Sequence, residues 1–295
     1  MNPHSAKSNL STRPSSEVDL IARPSETGCF LPLIYEDEDL LVLNKSSGVP
    51  SIPHSSEETH TAVSAALAHC PQIQGIGYGP LEPGILHRLD NETSGVLVFA
   101  KAQKEFDRLK EIWKTPQVRK FYKALSLGEA PIPKTPQTIR WHLAHSAKSS
   151  KRMLAFSDLH SVRKNQIKGK PLPTCTHLLN AHPLTQYTFP SPLSSVSLVE
   201  FELEIETGVM HQIRCTLAGM KWPILGDPIY RLPSSLASVL SEFPRLLPAH
   251  FQTRLWLHAE KLQLPLASGK TLIFKANIPE NWPLHLPLPS DKERA

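Results

Sequence analysis

Asp90 stands where a carboxylate can do chemistry. It lies in the run His87-Arg88-Leu89-Asp90-Asn91-Glu92-Thr93-Ser94-Gly95, a polar cluster between apolar segments at 84–86 and 96–100. Short apolar runs around Asn, Thr, Ser and Gly predict strand, tight turn, strand. A carboxylate at such a turn can face a cleft from a rigid support and act as nucleophile or base. Arg88, two residues back, points the same way in extended chain. The plainer alternative is a turn former whose carboxylate binds the backbone two residues on. A glycoside hydrolase would need a second carboxylate as acid beside the nucleophile, and Glu92 is the near candidate. Far along the chain, residues 207–214 read as a turn opening a helix, which puts His211 and Arg214 on one face.

The elements that must hold these groups are readable in part. Strands are expected at 33–35 and 40–43 around the acidic turn 36–39, then a loop at 44–50. A short helix is expected over 59–70, with Thr59 or Thr61 as cap and Pro71 as stop. Phe106, Leu109 and Trp113 recur at i, i+3 and i+7 and predict a helix over 101–113, with Lys104, Arg108 and Lys110 facing out. A strand at 119–127 carries Tyr122, whose ordinary role would be a half-buried strand tyrosine. Residues 131–194 are proline-interrupted; strands are expected at 139–143 and 174–179, with a basic, loop-like excursion between them. Residues 199–206 alternate without error, predicting a strand with Val199, Phe201, Leu203 and Ile205 inside and Glu200, Glu202, Glu204 and Glu206 on a solvated acidic face. A helix broken at Pro244 is expected over 232–247, a strand over 254–264, and a last strand over 270–276.

Composition bounds the rest. The chain has 295 residues and a net charge of +5, enough length for one large domain or two small ones. Residues 101–170 hold 17 Lys/Arg against 5 Asp/Glu. The remainder must therefore be acidic, and a basic block in an acidic background is the footprint of a polyanion partner. No apolar run reaches the length of a membrane span, so no membrane is expected. The cysteines, Cys29, Cys70, Cys175 and Cys215, show no CxxC spacing, which suits a reducing, cytoplasmic compartment. The histidines form no HExxH or finger-like set, so no metal is expected. Residues 1–30 are Ser/Pro-rich and read as a flexible tail without an apolar signal region.

Residues 87–95 resemble, position by position, the active-site motif of the RluA-type pseudouridine synthases: His-Arg-Leu-Asp, two residues, then Thr-Ser-Gly. Residues 44–50 resemble the family's Asn-Lys-Pro-x-Gly segment, with Ser46 where proline is usual. Residues 120–124 are similar to Lys-x-Tyr-x-Ala, and 257–262 to Leu-His-Ala-x-x-Leu. Residues 207–214, followed by 223–230, are similar to Thr-Gly-Arg-Thr-His-Gln-Ile-Arg and Pro-Ile-x-Gly-Asp-x-x-Tyr. The chain departs from that pattern at Val209 and Met210, where Arg and Thr are usual.

The resemblance covers about residues 31–282 and implies an α+β catalytic domain at 31–288 on a mixed, largely antiparallel sheet with flanking helices. Nothing upstream is long enough for the additional RNA-binding domain of some members. It implies isomerisation of uridine to pseudouridine in ribosomal RNA or tRNA by a monomer without a cofactor. The catalytic residues would be Asp90 as nucleophile, Arg214 as its ion-pair partner and Tyr122 against the uracil. His87, Arg88, Thr93, His211 and Gln212 would contact substrate, with Arg88 filling the place of the extruded nucleotide. The alternatives from the residues are a non-catalytic RNA-binding homologue, invited by Val209 and Met210, and the glycoside hydrolase.

Overall fold

Leu40, Leu41, Val42 and Leu43 are all buried, although a strand exposed on one side would alternate. Their strand is covered on both faces, so both sets of side chains are apolar. The computed structural model describes residues 29–187, 189, 194–234, 236–238, 251 and 254–282. The tail expected at 1–30 and the helix expected at 232–247 fall mostly outside them.

In chain order the described elements are β1 Leu33–Glu36, β2 Leu40–Lys45, α1 Ala62–His69, β3 Ser94–Ala100, α2 Gln103–Ile112, β4 Arg119–Gly128, β5 Gln137–Ser146, β6 Ser149–Phe156, β7 Ile167–Pro183, β8 Ser197–Ile205, α3 Gln212–Gly219, β9 Leu257–Pro265 and β10 Thr271–Lys275. One sheet runs β1-β2-β3-β9-β4-β8-β7-β5-β6, with β10 added on β9. Every pairing is antiparallel except β3 with β9, which is parallel. The fold is thus α+β on a mixed, largely antiparallel sheet.

Helix α1 covers one face of β2 and β3, packing with Leu41, Leu43, Leu97 and Phe99. Thr61 caps it in a capping box with Ser64. Helix α2 covers the other face through Phe106 and Leu109, against Leu40, Val42, Val96 and Val98. Burying each of those two α2 side chains contributes about 1.5–3 kcal/mol. Helix α3 packs Ile213 and Leu217 into a third core with β4, β8, Trp222, Trp256 and Trp282.

Three expectations are corrected. The strand expected at 84–86 is a single bridge, Ile85 to Phe99, so Asp90 sits on a loop entering β3. The excursion between 143 and 174 is not loop-like: β6 and the first half of β7 both pair with β5. Prolines hid this. Pro171 and Pro173 precede Thr176, where β7 begins to pair with β8, so they lie along an open edge where a missing N–H is tolerated. The glutamates of β8 are not a solvated face. β8 lies between β4 and β7, and cross-strand cations cover it. Glu200 and Glu202 both accept from Lys123 Nζ, at 2.6 and 3.2 Å. Arg119 clamps both oxygens of Glu204 at 2.7 Å. Alternation read correctly which residues share a face but not what covers that face.

The β3–β9 contact pairs Ser94 with His258 and Gly95 with Ala259. Gly95 has φ +118°, and a Cβ there would stand 2.2 Å from the Ala259 carbonyl oxygen. Gly95→Ala should therefore cost about 3 kcal/mol or more, through strain and forced separation of the strands. Thermal unfolding checks this; a variant melting with wild type would contradict the close approach.

Candidate active site

Arg214 is a buried cation whose three nitrogens all bond to carboxylates. It lies in the first turn of α3 with a side chain 4 % exposed. Its Nε and Nη2 donate to Asp227 Oδ2 and Oδ1 at 2.7 and 2.8 Å. Its remaining nitrogen, Nη1, donates to Asp90 Oδ2 at 2.7 Å. The guanidinium also lies 5.6 Å from the Tyr230 ring centre. Burial opposes its charge, but the pairs with Asp227 and Asp90 raise its pKa overall. Asp227 is fully buried; burial works against its charge, and Arg214 and the Tyr230 and Ile229 amides more than offset that, so its pKa is lowered. Asp90 differs: its side chain is 28 % exposed, so one carboxylate of the trio is open to a ligand.

The loop bearing Asp90 is braced from below. Lys45, fully buried at the end of β2, donates to the carbonyls of Ser46, Val49 and Asn91 at 3.0, 2.5 and 2.8 Å. Burial pushes its ammonium down to about 7, against the pull of Glu92 and Asp90. Ser51 Oγ donates to the Leu89 carbonyl and accepts from the Leu89 amide. Gly48 N–H and the Asn91 carbonyl close the same contact at 2.9 Å. Residues 45–51 thus hold residues 89–91 by backbone bonds that do not depend on the side chain at 90.

His211 precedes α3 in the left-handed region, φ 55°, which is unusual for a non-glycine residue and typical of functional sites. Its Nε2 lies 3.8 Å from Asp90 Oδ2 and its Nδ1 3.3 Å from the Tyr230 hydroxyl. Burial, with Arg214 adding to it, lowers its pKa despite Asp90 and Asp227, so the ring is neutral near neutral pH. Tyr122, on β4, packs between two cores. Burial raises its phenol pKa, and the Asp90 charge raises it further, so its proton stays on oxygen.

The other expected site residues are placed differently. Arg88 is exposed and pairs with Glu82 at 3.2 Å, not with Asp90. His87 turns to Trp113, ring centres 4.8 Å apart, and accepts from the Val98 amide; burial pushes it down to about 3. Thr93 is buried and its amide closes the turn on the Asp90 carbonyl. Gln212 is buried, with Oε1 accepting from Thr207 and Val209 and Nε2 donating to the Cys175 carbonyl and Thr176. Its amide braces the start of α3 and has no capacity left for a ligand. Glu92 Oε2 faces Ser47 at 3.4 Å. Val209 packs beside Tyr230 and Met153, while Met210 is exposed; the Arg214 contacts are intact beneath them. Asp227, Tyr230 and Lys45 were not singled out from sequence, although the strings at 223–230 and 44–50 contained them.

A neutral phenol, a half-open carboxylate and a buried cation can attack a carbon centre and hold a flat heterocycle. A profile described as RNA pseudouridylate synthase matches residues 39–219. The Ribosomal large subunit pseudouridine synthase D of Zymomonas mobilis is 32% identical over 257 residues, covering 86% of this chain and 71% of that protein. The protein of the same name from Neisseria meningitidis serogroup A is 29% identical, covering 90% of this chain and 64% of its own length. Among solved structures, Human RNA Pseudouridylate Synthase Domain Containing 1 superposes with a TM-score of 0.61 at 21% identity, over 93% of this chain and 89% of that one. The Domain Containing 4 protein gives 0.56 at 24% identity, over 84% and 88%. At such identities these two likenesses bear on the fold, and they agree with it.

Asp227→Asn should destabilise the protein by about 3–5 kcal/mol near neutral pH, because it leaves Arg214 half-paired in a buried site. The sign with pH follows from Asp227's lowered pKa. Its stabilisation is present above the ordinary aspartate value of about 3.9 and is lost as pH falls through the lower folded value. Denaturant unfolding of both proteins against pH should show the gap shrinking toward acid. A constant gap, or none, would contradict the assignment.

Proposed function

Because this chain belongs to the RNA pseudouridylate synthase family, we propose that it isomerises specific uridines in structured RNA to pseudouridine, with Asp90 as nucleophile. The observation that carries the reading is the Arg214 guanidinium: Asp227 occupies one edge, and Nη1 is left to hold the half-open Asp90 carboxylate. The reaction breaks the bond between ribose C1′ and uracil N1, turns the base and rejoins it through carbon 5, whose proton leaves to solvent while N1 takes one up. No redox equivalent or activated donor is needed. Asp90 supplies the carboxylate that takes the detached fragment, and Arg214 supplies the countercharge. Tyr122 offers a ring face and a retained phenolic proton to the uracil. His211, neutral beside Asp90, supplies a polar edge to the same cleft.

The target nucleotide must leave its stack to reach Asp90. Arg88 is suited to the vacated place, since its exposed pair with Glu82 costs little to break. The basic residues Lys151, Arg152, Lys164, Lys168 and Lys170 are exposed on β6, β7 and the segment joining them, and Lys148 is exposed in the turn between β5 and β6, which supports an RNA-facing surface there. Arg152 links that surface to the cleft, donating to the Ile229 carbonyl and lying 5.2 Å from the Tyr230 ring. Ribosomal RNA is the proposed substrate class, ahead of tRNA, following the relatives' names; a cytoplasmic location goes with it. Residues 31–288 are taken as the catalytic unit, acting as a monomer. The intact Arg214 contacts weigh against a non-catalytic homologue, and Glu92's turn to Ser47 weighs against a hydrolase.

Asp90→Asn keeps size and removes the charge. Tritium release from RNA labelled at uracil carbon 5 should fall on the order of a thousandfold or more, with folding and RNA affinity nearly unchanged. Substantial residual release would make Asp90 a turn former and put the catalyst elsewhere.

A further inference from the structure

Away from Asp90, the β7–β8 pairing assembles three side chains of different chemistry. Cys175 and His177 are two apart on β7 and so share a face. Glu206 follows β8, whose last residue, Ile205, pairs with the intervening Thr176. Cys175 Sγ lies 3.6 Å from His177 Nε2, which lies 2.7 Å from Glu206 Oε1. All three donor atoms fall within 4.8 Å of one another. We propose that Cys175, His177 and Glu206 form a binding site for a divalent cation of the zinc class.

Four features support this. A tetrahedral zinc ion, with bonds of about 2.0–2.3 Å, sets its ligand atoms roughly 3.3–3.7 Å apart. The sulfur–nitrogen separation already fits. The carboxylate must retreat by about half an ångström, and it is 44% exposed and free to do so. Second, His177 Nδ1 lies 3.0 Å from Thr138 Oγ1 on β5. With the proton on Nδ1, that bond orients the ring and leaves Nε2 for a cation, as supporting groups around metal-bound histidines do. Third, His177 and Glu206 also line an open cleft of about 350 Å³ with Arg119, Glu204 and Pro116, so solvent reaches two of the three ligand side chains. Fourth, a set of sulfur, nitrogen and oxygen selects zinc or cobalt over magnesium or calcium. On binding, the Cys175 thiol proton passes to solvent and the thiolate ligates. The site also reaches α3. The Cys175 carbonyl accepts from Gln212 Nε2 and from the Glu206 amide, and Thr207 Oγ1 joins the Cys175 amide to Gln212. A bound ion would therefore stiffen the turn that leads to His211.

The test is titration of the full, chelator-treated chain with Co2+, read by absorption. The expected result is one Co2+ per chain, with a near-ultraviolet thiolate-to-cobalt band and tetrahedral visible bands, all removed by Zn2+ and not by Mg2+. Cys175→Ser should lose the near-ultraviolet band, while Cys70→Ser keeps it. His177→Gln, at a partly exposed position, gives a second reading should the buried substitution disturb folding. It should weaken binding tenfold or more, and Thr138→Val about tenfold. Absence of the band in the wild-type chain, its survival in Cys175→Ser, or unchanged affinity in His177→Gln would each overturn the proposal and leave a histidine–glutamate ion pair only.

Discussion

A guanidinium buried between two unequal carboxylates is the constraint on which the rest of the structure depends. Arg214 keeps its proton and is almost wholly buried, so its charge must be balanced by protein groups. Asp227 meets two of them and is itself sealed by the Ile229 and Tyr230 amides. That edge is finished. The other edge faces Asp90, which keeps part of its surface open. The trio carries one more negative than positive charge, and the excess lies on the carboxylate that a ligand can touch. A planar fork is needed for this geometry; a point charge could not serve two carboxylates at fixed angles.

Three separate stretches converge to hold that trio. α3 brings Arg214 and is pinned at its start by Gln212. Residues 223–227 bring Asp227, with Leu225 bonded to β4 and to Trp256. The Asp90 loop is held by Lys45 and Ser51 from beneath and by the entry into β3. None of these is local in sequence, so the site exists only once the sheet has ordered β2, β3, β9, β4 and β8 side by side. Gly95 and Gly226 mark how tight that convergence is: a Cβ on Gly226 would lie 1.7 Å from the Arg254 carbonyl oxygen.

What the sequence disclosed follows the range of the forces involved. The two helices at 62–69 and 103–112 and the strand carrying Tyr122 were legible because caps and periodicity record local structure. The pairing of Arg214 with Asp90 came from two resembling strings rather than from spacing. The β8 glutamates misled because alternation cannot tell water from a neighbouring strand of cations. Residues 143–174 misled because prolines suppress the strand signal without forbidding an edge. Gln212 and His87 are polar residues in signature strings, yet their hydrogen bonds go to the protein. Lys45 lay within the string at 44–50 but was not singled out, since a lysine at a strand end is ordinarily solvated and only the assembled loop buries it.

The proposed role of Asp90 as nucleophile depends on the fixed, planar cation at 214. Single-turnover rates of uridine isomerisation, for wild type, Arg214→Lys and Arg214→Ala on one RNA under one condition, test it most directly. Lysine, which retains the charge but not the fork, should give an intermediate rate, while alanine should fall to background with the chain still folded. An alanine variant as fast as wild type would contradict it and would separate Arg214 from the chemistry.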